Sequence, residues 1–407
     1  MLEGAVPYRD FSMEYPPAAS LMFVLPATPI IAGGSTRGVQ WGQGAHPPPN
    51  GAARRYYRGF TLLILLLMGA IVVFTALTLS ALRRPAWIVV LALAVVASSP
   101  LLLHRVLTER FDVWPATLTA AALAATVRGR YWLGGICVGL GAAAKVYPAL
   151  LLPVLLVSAF RQRGVREAAL VAMAAIATAA VVVLPFAITS PSGTWDALRL
   201  QFRGGLQIET LASSVLVMGG HAGELLAKIG FPPPSHLTTR GAGHGLNRSD
   251  LAGAGVEATK AVMNVLLAGA LLALWISAAR SRRDPLEDLL RYAAATVAIL
   301  LVLGTVLSPQ YLVWLIPLVP LVAGRRGLAA MGLFVVAAVL TYAWFPDQYR
   351  EFQDSLLAGQ GSLLLARNLA LLGIAVVLVF PRGVSEAAPG RAADDVARAV
   401  AERQATT

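Results

Sequence analysis

The chain has 407 residues, 57% of them hydrophobic and 13% charged, with a mean hydropathy of +0.68; a soluble domain carries about twice that share of charge, so this is an integral membrane protein. Its 33 Lys and Arg against 21 Asp and Glu give a net charge of +12, but the arginines fall in short clusters between apolar runs, which fits membrane topology and anionic lipid and argues against nucleic acid. The single cysteine, Cys137, lies in an apolar run, which excludes an intramolecular disulfide and a thiolate metal cluster and leaves small packing filler.

In chain order, the first feature is polar: Tyr8-Arg9-Asp10-Phe11 followed by Glu14-Tyr15-Pro16-Pro17. Two carboxylates, two tyrosines and an arginine at a membrane surface suggest a reaction site. Such a cluster belongs in the first outer loop of a polytopic protein, so a natural first helix is expected to be missing ahead of it. Residues 17–33, interrupted by Pro26 and Pro29, are too short to span and read as an interfacial helix. Residues 34–53, rich in Gly, Pro and Gln, read as a flexible loop.

Apolar runs of spanning or near-spanning length follow at 60–82, 87–104, 113–127, 166–189, 258–279, 288–307, 327–345 and 363–380. The run 132–160 is too long for one ordinary span and is broken by Lys145-Val146-Tyr147-Pro148, while 311–323 is short. Five arginine clusters belong in the cytoplasm: Arg83 with Arg84, Arg128 with Arg130, Arg161 with Arg163 and Arg166, Arg280 with Arg282 and Arg283, and Arg325 with Arg326. All five share a side only if 132–160 enters and leaves from that side as two short helices, with Lys145 and Tyr147 at the outer turn. The cost is that Arg54, Arg55 and Arg58 lie outside. The expected organisation is therefore a first outer loop (1–59), an N-terminal transmembrane module (60–189), a long outer loop (190–257), C-terminal transmembrane helices (258–381) and a polar cytoplasmic tail (382–407).

Few acids fall inside the spans, whereas ion-coupled transporters keep ionisable groups near the midplane. Lys145, flanked by three alanines and Tyr147-Pro148, has the chemistry to hold a phosphate at the surface, against a plain snorkelling role. Arg291 and Arg367 read as snorkelling helix-end residues. Arg110 and Asp112 either bind substrate or form a local pair and helix cap. Arg203, Gln207 and Glu209 lie close enough in sequence to form one polar surface for a headgroup or phosphate, against a plain amphipathic loop helix over 211–218. His221 and His244 lack metal-ligand spacing partners, and no phosphate-binding loop, dinucleotide fingerprint or nucleophile elbow is present. Asn247-Arg248-Ser249 matches a glycosylation acceptor too short to argue from.

Taken together, Pro-Tyr-Arg-Asp-Phe with Glu-Tyr-Pro-Pro, Arg110-Phe111-Asp112-Val113-Trp114-Pro115, the glycine-rich run from Gly134 into Lys145-Val146-Tyr147-Pro148, and Gln207-Ile208-Glu209-Thr210 resemble glycosyltransferase family 87 over residues 4–320. This family includes polyprenyl-phosphomannose-dependent α-mannosyltransferases of phosphatidylinositol mannoside assembly. The resemblance implies an all-α polytopic bundle of the GT-C type with outer-face loops and interfacial helices, located in the plasma membrane with its active site on the outer face. It implies transfer of a hexose, mannose first, from a polyprenyl-phosphate sugar to a glycolipid or glycan by inverting single displacement. Asp10 would be the catalytic base; Arg9, Glu14, Tyr15, Arg110, Asp112, Lys145, Tyr147, Arg203, Gln207 and Glu209 would bind substrate. No cofactor is implied, and no Asp-x-Asp pair argues for a divalent metal. Other polyprenyl-phosphate sugars (arabinose or glucose), a lipid or polysaccharide transporter, and a non-catalytic scaffold are the competing readings.

Overall fold

The structure, a computed structural model, describes residues 5–28, 51–201, 204–229, 232, 236–241 and 249–380. Most of the expected 34–53 loop, Arg203, His244, the Asn247-Arg248 pair and the tail after 381 lie outside the described residues.

The described chain is a helical bundle, with α1 (Ser20–Val24) between 3₁₀ turns at Pro17–Ala19 and Leu25–Ala27. Then come α2 (Gly51–Ala81), α3 (Ala86–Leu103), α4 (Arg105–Thr108), α5 (Val113–Val127), α6 (Tyr131–Ala144), α7 (Leu152–Arg163), α8 (Val165–Thr189) and α9 (Pro191–Leu200). After these follow α10 (Leu211–Ala227), α11 (Val256–Arg280), α12 (Pro285–Leu303), α13 (Gly324–Trp344), α14 (Tyr349–Ser355) and α15 (Ala358–Val379). Among the described residues six helices are long and apolar enough to cross a membrane: α2, α3, α8, α11, α13 and α15. The best window of α8 has a mean hydropathy of 2.5 yet only 11% of it is buried within the protein. Water cannot solvate such a surface cheaply, so its partner is lipid.

At the centre is α12, buried on almost every face. Its start obeys local rules: the Asp284 side chain accepts from Leu286 N at 2.9 Å and Glu287 N at 3.0 Å, and Pro285 occupies the first helical position. Acids in its first turn meet arginines from other helices. Arg84 pairs with Glu287 at 2.6 Å and Arg161 with Asp288 at 2.8 Å. One end of the bundle thus gathers the arginine clusters.

The break at Lys145 makes a hairpin, as the sequence demands. Arg163, at the end of α7, lies 5.3 Å from the ring of Tyr131 at the start of α6, so the two short helices leave and return at the arginine-rich end. The glycines before the break have a packing reason. A Cβ at Gly135 or Gly139 would run into the carbonyl oxygens of Val171 and Ala175 on α8, and one at Gly134 into Thr126 on α5. Small residues let these backbones approach closely, which replaces the hydrophobic drive that lipid abolishes.

The short run after Ser308 also crosses the bundle. Residues Pro309–Leu315 and Val319–Leu321 are 3₁₀ turns, whose rise of about 2 Å per residue lets some thirteen residues cover roughly 26 Å. Chain segment 17–27 packs Ala18, Ala19, Met22 and Ala27 inward and leaves Leu21 and Leu25 about half exposed, an amphipathic arrangement for an interfacial element. A feature the sequence did not announce is a small antiparallel sheet in the 190–257 segment: β1 (Leu206–Gln207), β3 (Ser249–Ala252) and β2 (Thr238–Gly241), in the order β1-β3-β2.

Replacing Gly139 with valine forces α6 off α8. We expect a loss of roughly 1–3 kcal/mol, read as a lower thermal midpoint and a smaller monodisperse fraction in detergent.

Candidate functional site

At the end of the bundle opposite the arginine clusters lies a polar cavity of about 480 Å³. Its walls come from separate parts of the chain: Glu14 and Tyr15, Arg110, Lys145, Gln207 and Glu209, the Ser308–Tyr311 turn, and the Phe345–Gln353 segment. A second cavity of about 630 Å³ adjoins it and shares Glu14 and Leu200; Arg9, Asp10, Asp196 and Arg199 line it.

The floor of the first cavity is a buried ion pair. Lys145 Nζ meets Asp112 Oδ1 at 2.6 Å, with side-chain exposures of 6% and 1%. The Trp314 indole donates to the same oxygen at 2.8 Å. Four rings surround the ammonium, Tyr311 at 4.7 Å, Phe111 at 5.1 Å, Trp314 at 5.2 Å and Tyr15 at 5.7 Å, and each contributes a cation–π attraction that replaces lost hydration. Tyr147 stacks on Trp314 at 4.2 Å and Trp314 on Tyr311 at 4.0 Å, while Thr119 and Tyr147 hydroxyls pair at 3.1 Å. This geometry removes two of the alternatives that the sequence left open. Lys145 does not snorkel to water, and Asp112, although at the N-terminus of α5, makes no capping hydrogen bond. Tyr147 supports the floor from beneath.

The first loop is pinned from outside. Ser190 Oγ donates to Tyr8 O at 2.9 Å, the Tyr8 hydroxyl to Tyr15 O at 2.5 Å, and the Gln201 amide to Glu14 O at 2.6 Å. Tyr15 then stands edge-on to Phe111 at 4.5 Å. These contacts fix Glu14 on the wall common to both cavities. Asp10 is the more exposed carboxylate: Arg9 donates to it twice at 2.9 Å and Val6 N at 2.7 Å. The Arg9 hydrogen bonds, followed by that from Val6, pull its pKa down to about 2. Arg9 and Asp10 thus share the second cavity rather than the one over Lys145.

Glu209 is held differently. It is 1% exposed, its backbone carbonyl accepts from Arg367 Nη2 at 2.7 Å and Asn368 Nδ2 at 3.1 Å, and its Oε2 is buried without a partner. Burial, opposed by Arg367, pushes the carboxyl up to about 8, so it carries its proton at neutral pH. Gln207 Oε1 is likewise unpaired, and its amide donates to Ser308 Oγ at 3.3 Å. Arg367 is therefore not a snorkelling residue: fully buried within α15, it fastens the Glu209 turn. That turn leads into α10, where Thr210 accepts from Ser213 N at 3.2 Å, a conventional N-cap for the amphipathic run read from sequence.

Of the residues nominated from sequence, Glu14, Tyr15, Arg110, Lys145, Gln207 and Glu209 line one cavity, Asp112 and Tyr147 lie beneath it, and Arg9 and Asp10 line the next. Sequence reasoning missed Tyr311, Trp314, Tyr349 and Arg350. Trp314 carried one usable signal, an indole N–H in an apolar run that demands an acceptor; Tyr349 and Arg350 carried none. Among the described residues no group of three or more His, Cys, Asp or Glu is placed to hold a metal ion.

Fold and site together define a polytopic membrane protein with a cation- and carboxylate-lined polar cavity at one end of an apolar bundle. A family model for glycosyltransferase family 87 matches residues 14–309, most of the chain, and the protein belongs to that family. It is accordingly a membrane glycosyltransferase, acting on a sugar donor and an acceptor. A search of curated proteins found no match.

Two measurements probe the site's electrostatics. Lys145→Met or Asp112→Leu alone leaves one charge unpaired in the floor, at a cost of about 3–5 kcal/mol; the two together should lose less than the sum of the single changes in thermal unfolding. For Glu209, folding raises the pKa from 4.5 to about 8. The folded state therefore holds a proton that the unfolded chain releases, and stability from this group is full below about pH 4.5 and lost as pH rises through about 8. Glu209→Gln should raise the unfolding midpoint relative to the parent at pH 8–9, with the advantage shrinking towards pH 5.

Proposed function

We propose that the protein transfers a hexosyl group, mannose being the first candidate, from a polyprenyl-phosphate sugar to a glycolipid or glycan on the outer face of the plasma membrane. The observation that carries this reading is the polar cavity, rich in arginine and carboxyl groups, at the bundle end opposite the arginine clusters. Cytoplasmic retention of those clusters turns the cavity outward. A polyprenyl chain remains in lipid beside the exposed apolar helices and presents its phosphate and sugar at that level, so no soluble nucleotide-binding domain is needed.

In this reading the acceptor hydroxyl oxygen attacks the anomeric carbon from the face opposite the phosphate. The carbon–oxygen bond to phosphate breaks, its electron pair stays on the phosphate, and the acceptor proton passes to Asp10. One displacement inverts the anomeric configuration. Phosphate is a good leaving group, so a base and positive charge suffice, without the paired acid that glycoside hydrolysis requires. Asp10 faces the second cavity, which would admit the acceptor; its low pKa keeps it ionised at every working pH, and the incoming hydroxyl must compete with Arg9. Glu14 borders both substrates. Gln207 and protonated Glu209, with unspent hydrogen-bonding atoms, orient sugar hydroxyls. Arg110 faces the phosphate, while Lys145 and Asp112 set the shape of the floor with Tyr15 and Tyr147.

The test is transfer of radiolabelled mannose from polyprenyl-phosphomannose to membrane glycolipid or an added impermeant glycan in sealed right-side-out vesicles. Asp10→Asn should lower the rate about 10²-fold or more. Near-normal transfer by Asp10→Asn removes Asp10 as base. Failure of the parent protein with mannose, arabinose and glucose donors alike overturns the donor assignment.

A further inference from the structure

Among the described residues three cations line the first cavity, Arg110, Lys145 and Arg350, and they are not equivalent. Lys145 is spent: its ammonium sits 2.6 Å from Asp112 and faces aromatic rings on its other sides. An ion pair of this kind presents little net charge to a ligand. Arg110 and Arg350 are both exposed, and among the described residues neither side chain has an ion pair or hydrogen bond. They also come from different walls, Arg110 just ahead of α5 and Arg350 in α14. The charge of Arg110 is felt at Lys145 and Tyr15 on one side and at Tyr349, the neighbour of Arg350, on the other. Two acids line the same cavity, Glu14 and Glu209, and burial drives the second towards its protonated form.

Two uncommitted guanidinium groups lining one polar cavity favour an anion between them. Each offers a planar fork of N–H donors that matches a phosphate better than an ammonium does. We infer that Arg350 acts with Arg110 as the clamp on the phosphate of the lipid-linked donor, and that Lys145 is not the phosphate-holding residue. The inference rests on the donor reading above and adds a catalytic residue to it.

The clamp has a reason to favour reaction over binding. The donor phosphate is a diester with one negative charge; when its bond to the anomeric carbon breaks, the electron pair remains on oxygen and the departing polyprenyl phosphate is a monoester with two. Paired arginines attract the second charge as it develops, so they stabilise the transition state more than the ground state. Arg350 lies beyond the segment matched by the family, which ends at 309, so only the fold brings it to the site.

The experiment is titration of geranylgeranyl phosphate, a short polyprenyl monoester, into the full chain in lipid nanodiscs at pH 7 and pH 5, with Arg350→Gln, Arg350→Lys and the distant Arg282→Gln alongside. A phosphate monoester gains its second charge near pH 6, so the parent should bind more tightly at pH 7. Arg350→Gln should weaken binding at pH 7 by about ten- to a hundredfold, the range for losing charged hydrogen bonds, and by less at pH 5. Arg350→Lys should restore part of the loss and Arg282→Gln should match the parent. In the transfer assay Arg350→Gln should lower kcat more than it raises KM. Binding by Arg350→Gln equal to the parent overturns the clamp and leaves the donor reading standing. An equal loss at both pH values also overturns it, since that marks a structural role. Equal competition by phosphatidic acid overturns it in favour of a general lipid-headgroup site. No binding of geranylgeranyl phosphate by the parent protein overturns the donor reading and the clamp together.

Discussion

A lysine ammonium buried at the tip of a helical hairpin is the constraint from which the rest of the site follows. Lys145 is reached by a chain that enters the bundle as α6, breaks, and returns as α7, and its charge must be balanced where it stops. Asp112 from the start of α5 does so at 2.6 Å, and Trp314 from the crossing 3₁₀ segment donates to the same carboxylate oxygen. Three parts of the chain distant in sequence are thereby fastened at one point. Burying an ion pair is not in itself a source of stability, because desolvation offsets the attraction. What the pair supplies is registry: displacement of any of the three segments strands a charge or an indole N–H in an apolar slab.

Above this fixed floor the walls are tuned rather than rigidly paired. Arg367 and Asn368 from α15 both grip the carbonyl of Glu209, which holds the turn in place while leaving the carboxyl itself unsatisfied on one oxygen. Such a group is costly in a folded protein. Its position on a cavity wall gives the cost a purpose, because a ligand hydroxyl or phosphate oxygen can complete it. The same division of labour recurs in the first loop, where backbone carbonyls of Tyr8, Glu14 and Tyr15 are all taken by side chains and the Glu14 side chain reaches the seam of the two cavities.

Much of the architecture was legible because a bilayer imposes simple rules. Run length and arginine position alone required that 132–160 double back, and the meeting of Arg163 with Tyr131 is that requirement realised. The crossing at 309–321 was harder to read, since a length criterion tuned to α-helical rise undercounts a 3₁₀ path. The site was legible where several chemistry-bearing residues share a short segment, as in Gln207 to Glu209. Arg367 was misread because an isolated arginine in an apolar run looks like a snorkelling residue unless its partner, a backbone carbonyl 158 positions away, is known. The strands β2 and β3 were missed because four-residue pairings between polar loops leave no periodic signal.

The electrostatic arrangement also bears on how a protein of net charge +12 avoids indiscriminate anion binding at this cavity. Arg84 and Arg161 are committed at the opposite end, to first-turn acids of α12. At the cavity, among the described residues, Lys145 is paired within the protein, burial drives Glu209 towards its protonated form, and Arg110 and Arg350 have no ion pair or hydrogen bond. On the donor reading proposed above, a headgroup that approaches along the membrane surface is held where its phosphate reaches both guanidinium groups at once. On that reading selectivity depends on geometry over a few ångströms, and a prenyl chain confined to the bilayer would meet it by holding its phosphate at a fixed depth.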